Sequence, residues 1–285
     1  MATVLITGAG SGIGLATAAA LARAGHIVIA TARNLDAASE LARLGETKGH
    51  AVHMLALDVD DDGSVARAFE QALTENERID VLINNAGINR IGTVEEAPLA
   101  SFRAIMETNY FGPLRCIKAV LPQMLSRRSG CIINVSSVAG RIAVAPQAAY
   151  VASKHALEGL SECLAQEVKA FNIRVAVLEP GVVATPIFKK IGLERATAYP
   201  HGRRLAALFG AMAKQPTPPE AVAEQIREII EGESWQLRYP IGLHAPITLA
   251  WRARSSDEEW IALLASTDAE WTARIKQEFG LEIAL

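Results

Sequence analysis

Cysteine is scarce in this chain of 285 residues, and the usual signs of a bound metal are missing. The three cysteines, Cys116, Cys131 and Cys163, are odd in number and form no C-x-x-C pair. No His-Glu-x-x-His sequence occurs among the six histidines. These absences argue against a disulfide framework and against a zinc or other metal site. We expect reduced thiols that pack as small hydrophobic side chains.

Long apolar runs and clusters of like charge are also missing. No uncharged apolar stretch reaches the ~18 residues that a membrane-spanning helix needs. The chain enters Thr3–Ile6 at once, with no basic region that would mark a signal peptide. Net charge is −3, and the Lys and Arg residues are scattered rather than clustered. We therefore expect a cytoplasmic protein with no membrane span and no nucleic-acid partner.

What the sequence does contain is an alternation of short apolar runs and helical patterns. Half of the residues are hydrophobic, which suffices for a large core. The runs are continuously apolar, as is typical of strands buried on both faces of a parallel sheet. They are Thr3–Ile6, Ile27–Thr31, Val52–Leu57, Val81–Ile83, Cys131–Val135 and Ile173–Leu178. The alternation predicts an α/β fold, a doubly wound Rossmann fold with a parallel sheet of about seven strands in the order 3-2-1-4-5-6-7 and helices on both faces.

Helical spacing fills the segments between these runs and continues beyond them. The predicted helices are Ala16–Ala24, Ser64–Glu77, Leu99–Leu125, Gln147–Phe171 and Pro218–Ile230, and a last strand is predicted at Trp235–Tyr239. Ser256 and Glu259 form a capping box for a C-terminal helix that runs to about Phe279. No Gly/Ser linker interrupts the chain, so we expect a single domain over 1–285. Within it we expect a substrate lid at about 183–216 and a helical extension at about 243–285.

The first strand leads into a glycine-rich turn, Thr7–Gly14. Glycines let the backbone turn sharply and approach a pyrophosphate, and the following helix offers free N–H groups to the anion. The strand–turn–helix context favours a dinucleotide site, although an ordinary glycine-rich turn is the alternative. The residues expected at the cofactor are Gly8, Ser11, Gly12, Ile13 and Gly14.

The end of the second strand bears on the choice of cofactor. An acidic residue there normally holds the ribose 2′-hydroxyl of NAD. Here the strand ends at Thr31, and Arg33 follows without a carboxylate. A guanidinium suits a 2′-phosphate, so we expect NADP(H) to be preferred, with NAD(H) possible. The alternative is that Arg33 only faces solvent.

Two further segments follow predicted strands. Asp58 and Val59 end the third strand, where they could reach the adenine, and Asn85, Ala86 and Gly87 follow the fourth. Ligands bind at the carboxyl ends of strands in open α/β sheets, so these residues are candidate cofactor contacts. Each segment taken alone could equally be a turn.

Tyr150 and Lys154 are four residues apart on a predicted helix and therefore share one face. A nearby ammonium favours the phenolate and would lower the tyrosine pKa, which suits a general acid or base. A chance Tyr-x-x-x-Lys pair on the surface is the alternative. Ser137, thirteen residues earlier and just past the fifth strand, could bring a hydroxyl beside Tyr150.

These elements together resemble the short-chain dehydrogenase/reductase family. The resemblance rests on six elements that occur in family order between residues 3 and about 186. They are Thr7-Gly8-xxx-Gly12-Ile13-Gly14, Asn84-Asn85-Ala86-Gly87, Asn109, Ser137, Tyr150-xxx-Lys154 and Pro180-Gly181-xxx-Thr185. Weaker similarity, in Ala30–Arg33, Glu179–Gly181 and Arg238–Gly242, points to the branch that acts on steroids, retinoids and other lipophilic alcohols.

The resemblance implies a role for each matched position. Tyr150 would donate or accept the proton, Ser137 would hydrogen-bond the substrate oxygen, and Lys154 would lower the Tyr150 pKa and hold the nicotinamide ribose. Asn109 would position a water in a proton relay. Residues 180–185 would contact the nicotinamide end of the cofactor, through Pro180, Gly181, Val183 and Thr185.

The function expected from this pattern is NADP(H)-dependent hydride transfer between an alcohol and a ketone or aldehyde. Apolar residues in the predicted lid favour a lipophilic small-molecule substrate, although each could simply pack on the core. They are Ile187, Phe188, Ile191, Leu193, Leu205, Leu208, Phe209 and Met212. A non-catalytic NADP(H)-sensing protein and a nucleotide-sugar epimerase are the competing interpretations. Family members pair two long helices between subunits, so we expect a homodimer or homotetramer.

Overall fold

Parallel strands form the centre of the computed structural model, which describes all residues except 48, 187–191, 194–198 and 200, and only the backbone of 192–193. The strands are β1 (Thr3–Ile6), β2 (Ile27–Ala32), β3 (Val52–Ala56), β4 (Val81–Asn84), β5 (Arg90–Ile91), β6 (Gly130–Val135), β7 (Ile173–Pro180), β8 (Gly192–Leu193) and β9 (Arg238–Ile241). Seven pair in the order β3-β2-β1-β4-β6-β7-β9, whereas β5 and β8 pair separately. Counted alone, the seven follow the predicted order 3-2-1-4-5-6-7.

Helices cover both faces of this sheet. They are α1 (Gly12–Arg23), α2 (Ser39–Gly45), α3 (Asp62–Asn76), α4 (Leu99–Met106), α5 (Gly112–Arg127), α6 (Ala148–Val168), α7 (His201–Met212), α8 (Pro219–Glu231), α9 (His244–Arg254), α10 (Asp257–Ala265) and α11 (Asp268–Phe279). Side chains of a strand alternate between faces. Val4 and Ile6 accordingly join the cluster that holds residues of α1 and α8, and Leu5 joins the one that holds residues of α3, α5 and α6. The predicted doubly wound fold is confirmed.

The predicted helix Leu99–Leu125 is not continuous. After α4 the chain forms a wider π-helical turn, Glu107–Phe111, and then continues as α5. Asn109 in this turn is fully buried and bonded to Ile88, which lies outside the helix. Helical periodicity cannot reveal such an interruption because it depends on a tertiary hydrogen bond.

The C-terminal region also differs from the prediction. The last strand occupies Arg238–Ile241 rather than Trp235–Tyr239. The capping box at Ser256 is present, but the helix that it begins ends at Ala265, and a second capping box at Thr267 starts α11. With α9, the extension is therefore three helices instead of one.

Two smaller expectations need correction. Cys116 and Cys131 are buried as predicted, but Cys163 lies on the exposed face of α6. The predicted lid at 183–216 is not a bare loop, because α7 occupies part of it. Its apolar residues Ile187, Phe188 and Ile191 lie outside the described residues, as does the side chain of Leu193. No described helix has the length and apolarity to cross a bilayer.

Candidate active site

A cavity of about 420 Å³ opens at the carboxyl ends of the central strands. It collects most of the residues that the sequence singled out. Those that line it are Gly8, Ser11, Gly12, Ile13, Arg33, Asp58, Val59, Asn85, Ala86, Gly87, Ser137, Tyr150, Lys154, Pro180, Gly181, Val183 and Thr185. Gly14 and Asn109 are not in its wall. The cavity therefore joins the glycine turn to the Ser–Tyr–Lys group, as ligand sites at strand ends do in this class of fold.

The glycine turn fits a pyrophosphate. Gly8 and Gly12 have φ of +67° and +57°, a conformation that L side chains rarely adopt. No side chain caps the start of α1, so its first N–H groups remain available to an anion. A Cβ on Gly14 would lie 2.5 Å from the Gly8 oxygen. Because Gly14 has no side chain, α1 can pack closely on the glycine turn. Gly14 itself does not line the cavity.

The end of the cavity beside Arg33 fits a 2′-phosphate. Thr31 is buried and donates its hydroxyl to the Ile6 carbonyl at 3.0 Å, which leaves it unavailable to a ribose. Arg33 is exposed at the cavity edge, and the structure describes no hydrogen bond or ion pair for it. Asp60 also lines the cavity and was not predicted. Burial raises the Asp60 pKa, against a hydrogen bond from Thr108 and the charge of Arg33.

Ser137, Tyr150 and Lys154 come together because α6 lies against the end of β6. The Ser137 hydroxyl lies close enough to Tyr150 to lower its pKa, and it donates to the Pro180 carbonyl at 3.5 Å. The Lys154 Nζ donates to the Val135 carbonyl at 2.8 Å and lies 5.8 Å from the centre of the Tyr150 ring. A phenol, a second hydroxyl and an amine thus share one wall, which is the equipment that proton transfer to an oxygen requires.

The pKa values in this wall differ from the sequence-based expectation. Burial raises the pKa of Tyr150 to about 12, against the hydrogen bond from Ser137. Burial lowers the pKa of Lys154 to about 8, against the charge of Glu158. The Tyr150 pKa is therefore raised rather than lowered, because burial outweighs any effect of the Lys154 charge. Tyr150 is only half-buried and faces the cavity, so solvent there moderates its shift.

Asn109 lies behind this wall. Its side chain accepts a hydrogen bond from the Ile88 N–H and donates to the Ile88 carbonyl, both at 2.9 Å. It also donates to the Ser153 hydroxyl at 3.0 Å, and Ser153 donates to the Tyr150 carbonyl. The structure thus links Asn109 to the helix that carries Tyr150, without exposing it to the cavity.

Sequence reasoning missed the aromatic wall that closes the other end of the cavity. Trp251, Trp260, Trp271 and Phe279 line it together with residues of α7. The Trp251 and Trp260 rings meet edge to face with centroids 4.9 Å apart, and Trp260 donates to the Ala143 carbonyl at 2.7 Å. From the predicted lid, Leu205, Leu208, Phe209 and Met212 line the same cavity. The C-terminal extension therefore forms part of the site.

Arg204 fastens α7 to this wall. The residue is 4% exposed, and its side chain donates to Asp268 at 2.9 Å and to the Leu264 and Ser266 carbonyls at 3.1 and 2.6 Å. These bonds satisfy the buried guanidinium and join α7 to the turn between α10 and α11.

Known proteins of similar sequence are oxidoreductases. The chain is 34% identical over 270 residues to the uncharacterized oxidoreductase YusZ of Bacillus subtilis, an alignment that covers 91% of this chain and 96% of that protein. It is 42% identical over 200 residues to retinol dehydrogenase 8 of Bos taurus, covering 69% of this chain and 64% of that protein.

Solved structures agree with the sequence relatives. A short-chain dehydrogenase from Streptomyces avermitilis superposes with a TM-score of 0.80 at 35% identity, covering 94% of this chain and 98% of that one. An alcohol dehydrogenase from Thermococcus sibiricus, complexed with 5-hydroxy-NADP, gives 0.71 at 26% identity, covering 85% and 96%. The family model for short chain dehydrogenases matches residues 2–196. The chain therefore belongs to the short-chain dehydrogenase/reductase family, whose members are NAD(P)-dependent oxidoreductases acting on CH–OH groups.

Proposed function

We propose that this protein interconverts a lipophilic secondary or primary alcohol and the corresponding ketone or aldehyde, with NADP(H) as the hydride carrier. One observation carries the proposal. A single cavity holds the glycine turn, the cation Arg33 and the Ser137–Tyr150–Lys154 group, and it ends in an aromatic wall. A site for a phosphate-bearing dinucleotide is thus continuous with a proton-transfer group and an apolar pocket.

The preference for NADP(H) rests on Arg33. It lines the cavity beyond the glycine turn, and no described carboxylate forms an ion pair with it. A guanidinium can hold a 2′-phosphate through two parallel hydrogen bonds, whereas a 2′-hydroxyl would leave it unmatched. The 5-hydroxy-NADP complex of the related alcohol dehydrogenase is in accord with this assignment.

The protein's own part in the reaction is to move a proton and stabilise charge on oxygen. When bound, the nicotinamide supplies or accepts the hydride. Tyr150 donates its proton to the carbonyl oxygen during reduction and accepts it during oxidation. Ser137 hydrogen-bonds the same oxygen as negative charge develops on it. Lys154 lies close enough to bias the Tyr150 proton and to bind a ribose hydroxyl.

The aromatic wall at the other end of the cavity favours a lipophilic substrate. Three tryptophans and Phe279 give that end a large apolar surface, and leucines of α7 extend it. Burying such surface against a substrate contributes about 25 cal/mol per Å² of apolar area removed from water. A sugar would leave its hydroxyls unpaired there, so ketones and aldehydes with alkyl or aromatic tails are the expected substrates.

The test is a carbonyl and alcohol screen run with NADPH and NADH in parallel. We expect NADPH absorbance to decay with lipophilic ketones or aldehydes and Tyr150→Phe to abolish turnover while leaving NADPH binding largely intact. Tyr239→Phe is the matched control, since Tyr239 does not line the cavity. A near-normal rate in Tyr150→Phe would remove Tyr150 from the reaction. NADPH binding without turnover on any carbonyl would favour a cofactor-sensing protein instead.

The oligomeric state and the domain organisation belong to the same proposal. We infer a homodimer or homotetramer that pairs the long helices of neighbouring subunits. We further infer that residues 1–285 fold as one unit with the C-terminal helices over the substrate. Light scattering coupled to size-exclusion chromatography measures the oligomeric state. A single cooperative unfolding transition would support the single folding unit.

A further inference from the structure

His244 stands apart from the other histidines. It begins α9, from which the sheet's edge strand β9 is separated by Gly242 and Leu243, and it lines the cavity. The residue is 5% exposed. Its Nδ1 atom is buried without a hydrogen-bond partner, and the described residues provide no hydrogen bond to either ring nitrogen. Neither the family's proton-transfer group nor the predicted cofactor contacts include this residue.

A buried imidazole without a partner is costly. Polar groups removed from water are almost always hydrogen-bonded, and leaving one unmatched destabilises the fold. Burial also lowers the pKa of His244, so the ring is neutral at pH 7, with one nitrogen donating and the other accepting. Such a ring matches a hydroxyl or a keto oxygen better than an anion.

The position of His244 places it at the reacting end of the cavity. The Ser137 hydroxyl lies 3.5 Å from the Pro180 carbonyl. A Cβ built on the next residue, Gly181, would lie 3.5 Å from the His244 Cβ. Ser137 and His244 therefore flank the same two-residue segment. The only nearby hydroxyl on α9 that lines the cavity is that of Thr248, and it already donates to the His244 carbonyl at 2.7 Å.

We propose that His244 is a specificity-determining residue that hydrogen-bonds a second, uncharged oxygen of the substrate, close to the reacting carbon. The substrate class is then a lipophilic ketone or alcohol with a neighbouring hydroxyl or keto group, rather than a simple ketone. The apolar tail would rest on the aromatic wall. The reacting oxygen would bind Tyr150 and Ser137, and the second oxygen would bind His244. This inference rests on the proposed carbonyl reduction at the same site.

The experiment compares matched ketones with NADPH. The probes are 2-decanone, 1-hydroxy-2-decanone, 3-hydroxy-2-decanone and 2,3-decanedione. We expect wild-type kcat/KM for the best oxygenated probe to exceed that for 2-decanone by about 10- to 100-fold, the ratio that one buried hydrogen bond supports. His244→Leu should reduce this ratio to near one, and His244→Gln should restore part of it. The control His53→Leu changes an exposed histidine on β3 and should leave the ratio alone.

A binding measurement complements the kinetics. Three of the four tryptophans line the cavity, so substrate entry should alter intrinsic fluorescence, and the oxygenated probe should bind wild type more tightly than His244→Leu. Should His244→Leu fail to fold, the wild-type preference and the His244→Gln ratio still decide the question.

The outcomes separate the two proposals. No NADPH oxidation with any carbonyl would defeat the proposed function. Oxidation of NADPH without preference for the oxygenated probes would defeat only the role of His244. A His244→Leu variant that loses activity equally on all probes, or whose KM rises for NADPH alone, would also overturn it, because His244 would then support the fold or the cofactor.

Discussion

Replacing Lys154 with methionine should stabilise the cofactor-free protein at neutral pH even though it removes a residue of the proposed proton-transfer group. Lys154 is 5% exposed, and the only described hydrogen bond of its amine is to the Val135 carbonyl. Burial lowers its pKa from 10.5 to about 8. At pH 7 the folded protein therefore holds a buried positive charge that the unfolded chain exposes to water.

The size of the effect follows from the two pKa values. The gap between 10.5 and about 8 corresponds to a penalty of about 3 kcal/mol at pH 7, since each pH unit is worth about 1.4 kcal/mol. Methionine has a similar length and no charge, so it avoids this penalty but forfeits the bond to Val135, worth about 1 kcal/mol. The net gain is about 2 kcal/mol, or about 4 °C in Tm for a chain of this size.

The pH dependence identifies the cause. Below pH 8 both states are protonated and the full penalty applies. Between pH 8 and 10.5 the unfolded state still binds the proton and the folded state does not, so wild-type stability from this group rises with pH. The advantage of Lys154→Met should therefore shrink above pH 8, vanish near pH 10, where the remaining penalty equals the lost bond of about 1 kcal/mol, and reverse by pH 10.5. Tyr150, whose pKa is raised to about 12, contributes stability that is lost between pH 10 and 12, but it is present in both proteins and cancels in the difference.

Denaturant unfolding of wild type, Lys154→Met and Lys118→Met from pH 7 to 10 provides the measurement. Lys118 is exposed on α5, and its replacement should change stability by less than about 0.5 kcal/mol. The reasoning fails if Lys154→Met is no more stable than wild type at pH 7, or if the difference between the two proteins does not depend on pH.

Other substitutions probe the cofactor end and the C-terminal wall. In steady-state assays, Arg33→Ala should raise the KM for NADPH by roughly 10-fold and change the KM for NADH little. The effect is no larger because an exposed charge-assisted hydrogen bond is partly screened by solvent and salt. The charge-matched control Arg23→Ala should change neither KM. Gly14→Ala puts a methyl 2.5 Å from the Gly8 oxygen, so NADPH titration should show weakened binding and melting a loss of about 1–3 kcal/mol. Arg204→Ala should lower stability by about 2 kcal/mol and raise the KM for lipophilic ketones, as measured by melting and initial rates; an unchanged KM would mean that α7 does not shape the pocket.

The sheet could be predicted because its signal is local. Continuous apolar runs such as Val81–Ile83 identify doubly buried strands, and glycine or capping residues mark the helix ends. The break at Glu107–Phe111 could not be predicted, because it involves hydrogen bonds between Asn109 and Ile88, which are 21 residues apart. The division of the C-terminal helix was readable, since the pattern Thr267–Glu270 repeats the capping box found at Ser256.

The strand-end motifs predicted where a site would form, because the carboxyl ends of parallel strands meet at one edge. The glycine turn, Arg33 and Ser137 each follow a strand and do line one cavity. The aromatic wall follows no such rule. Trp251 and Trp271 reach the cavity only because three helices fold back over it, and nothing in their spacing indicates that path. A lone histidine such as His244 carries no sequence signal of its own.

Tyr150 and Lys154 show that spacing along a helix predicts proximity but not the direction of a pKa shift. Four residues on one helix do place the amine beside the ring, 5.8 Å from its centre. The sign of a pKa shift, however, depends on whether charge attraction or loss of solvent is larger, and only tertiary packing decides that. Here α6 lies against β6, the amine is drawn to the Val135 carbonyl, and burial disfavours both charged forms. A charged pair would have stabilised the fold at pH 7, whereas this one costs stability. A lysine that destabilises the fold at this position is what the proposed role beside Tyr150 would require, so the stability of Lys154→Met bears on the proposed function.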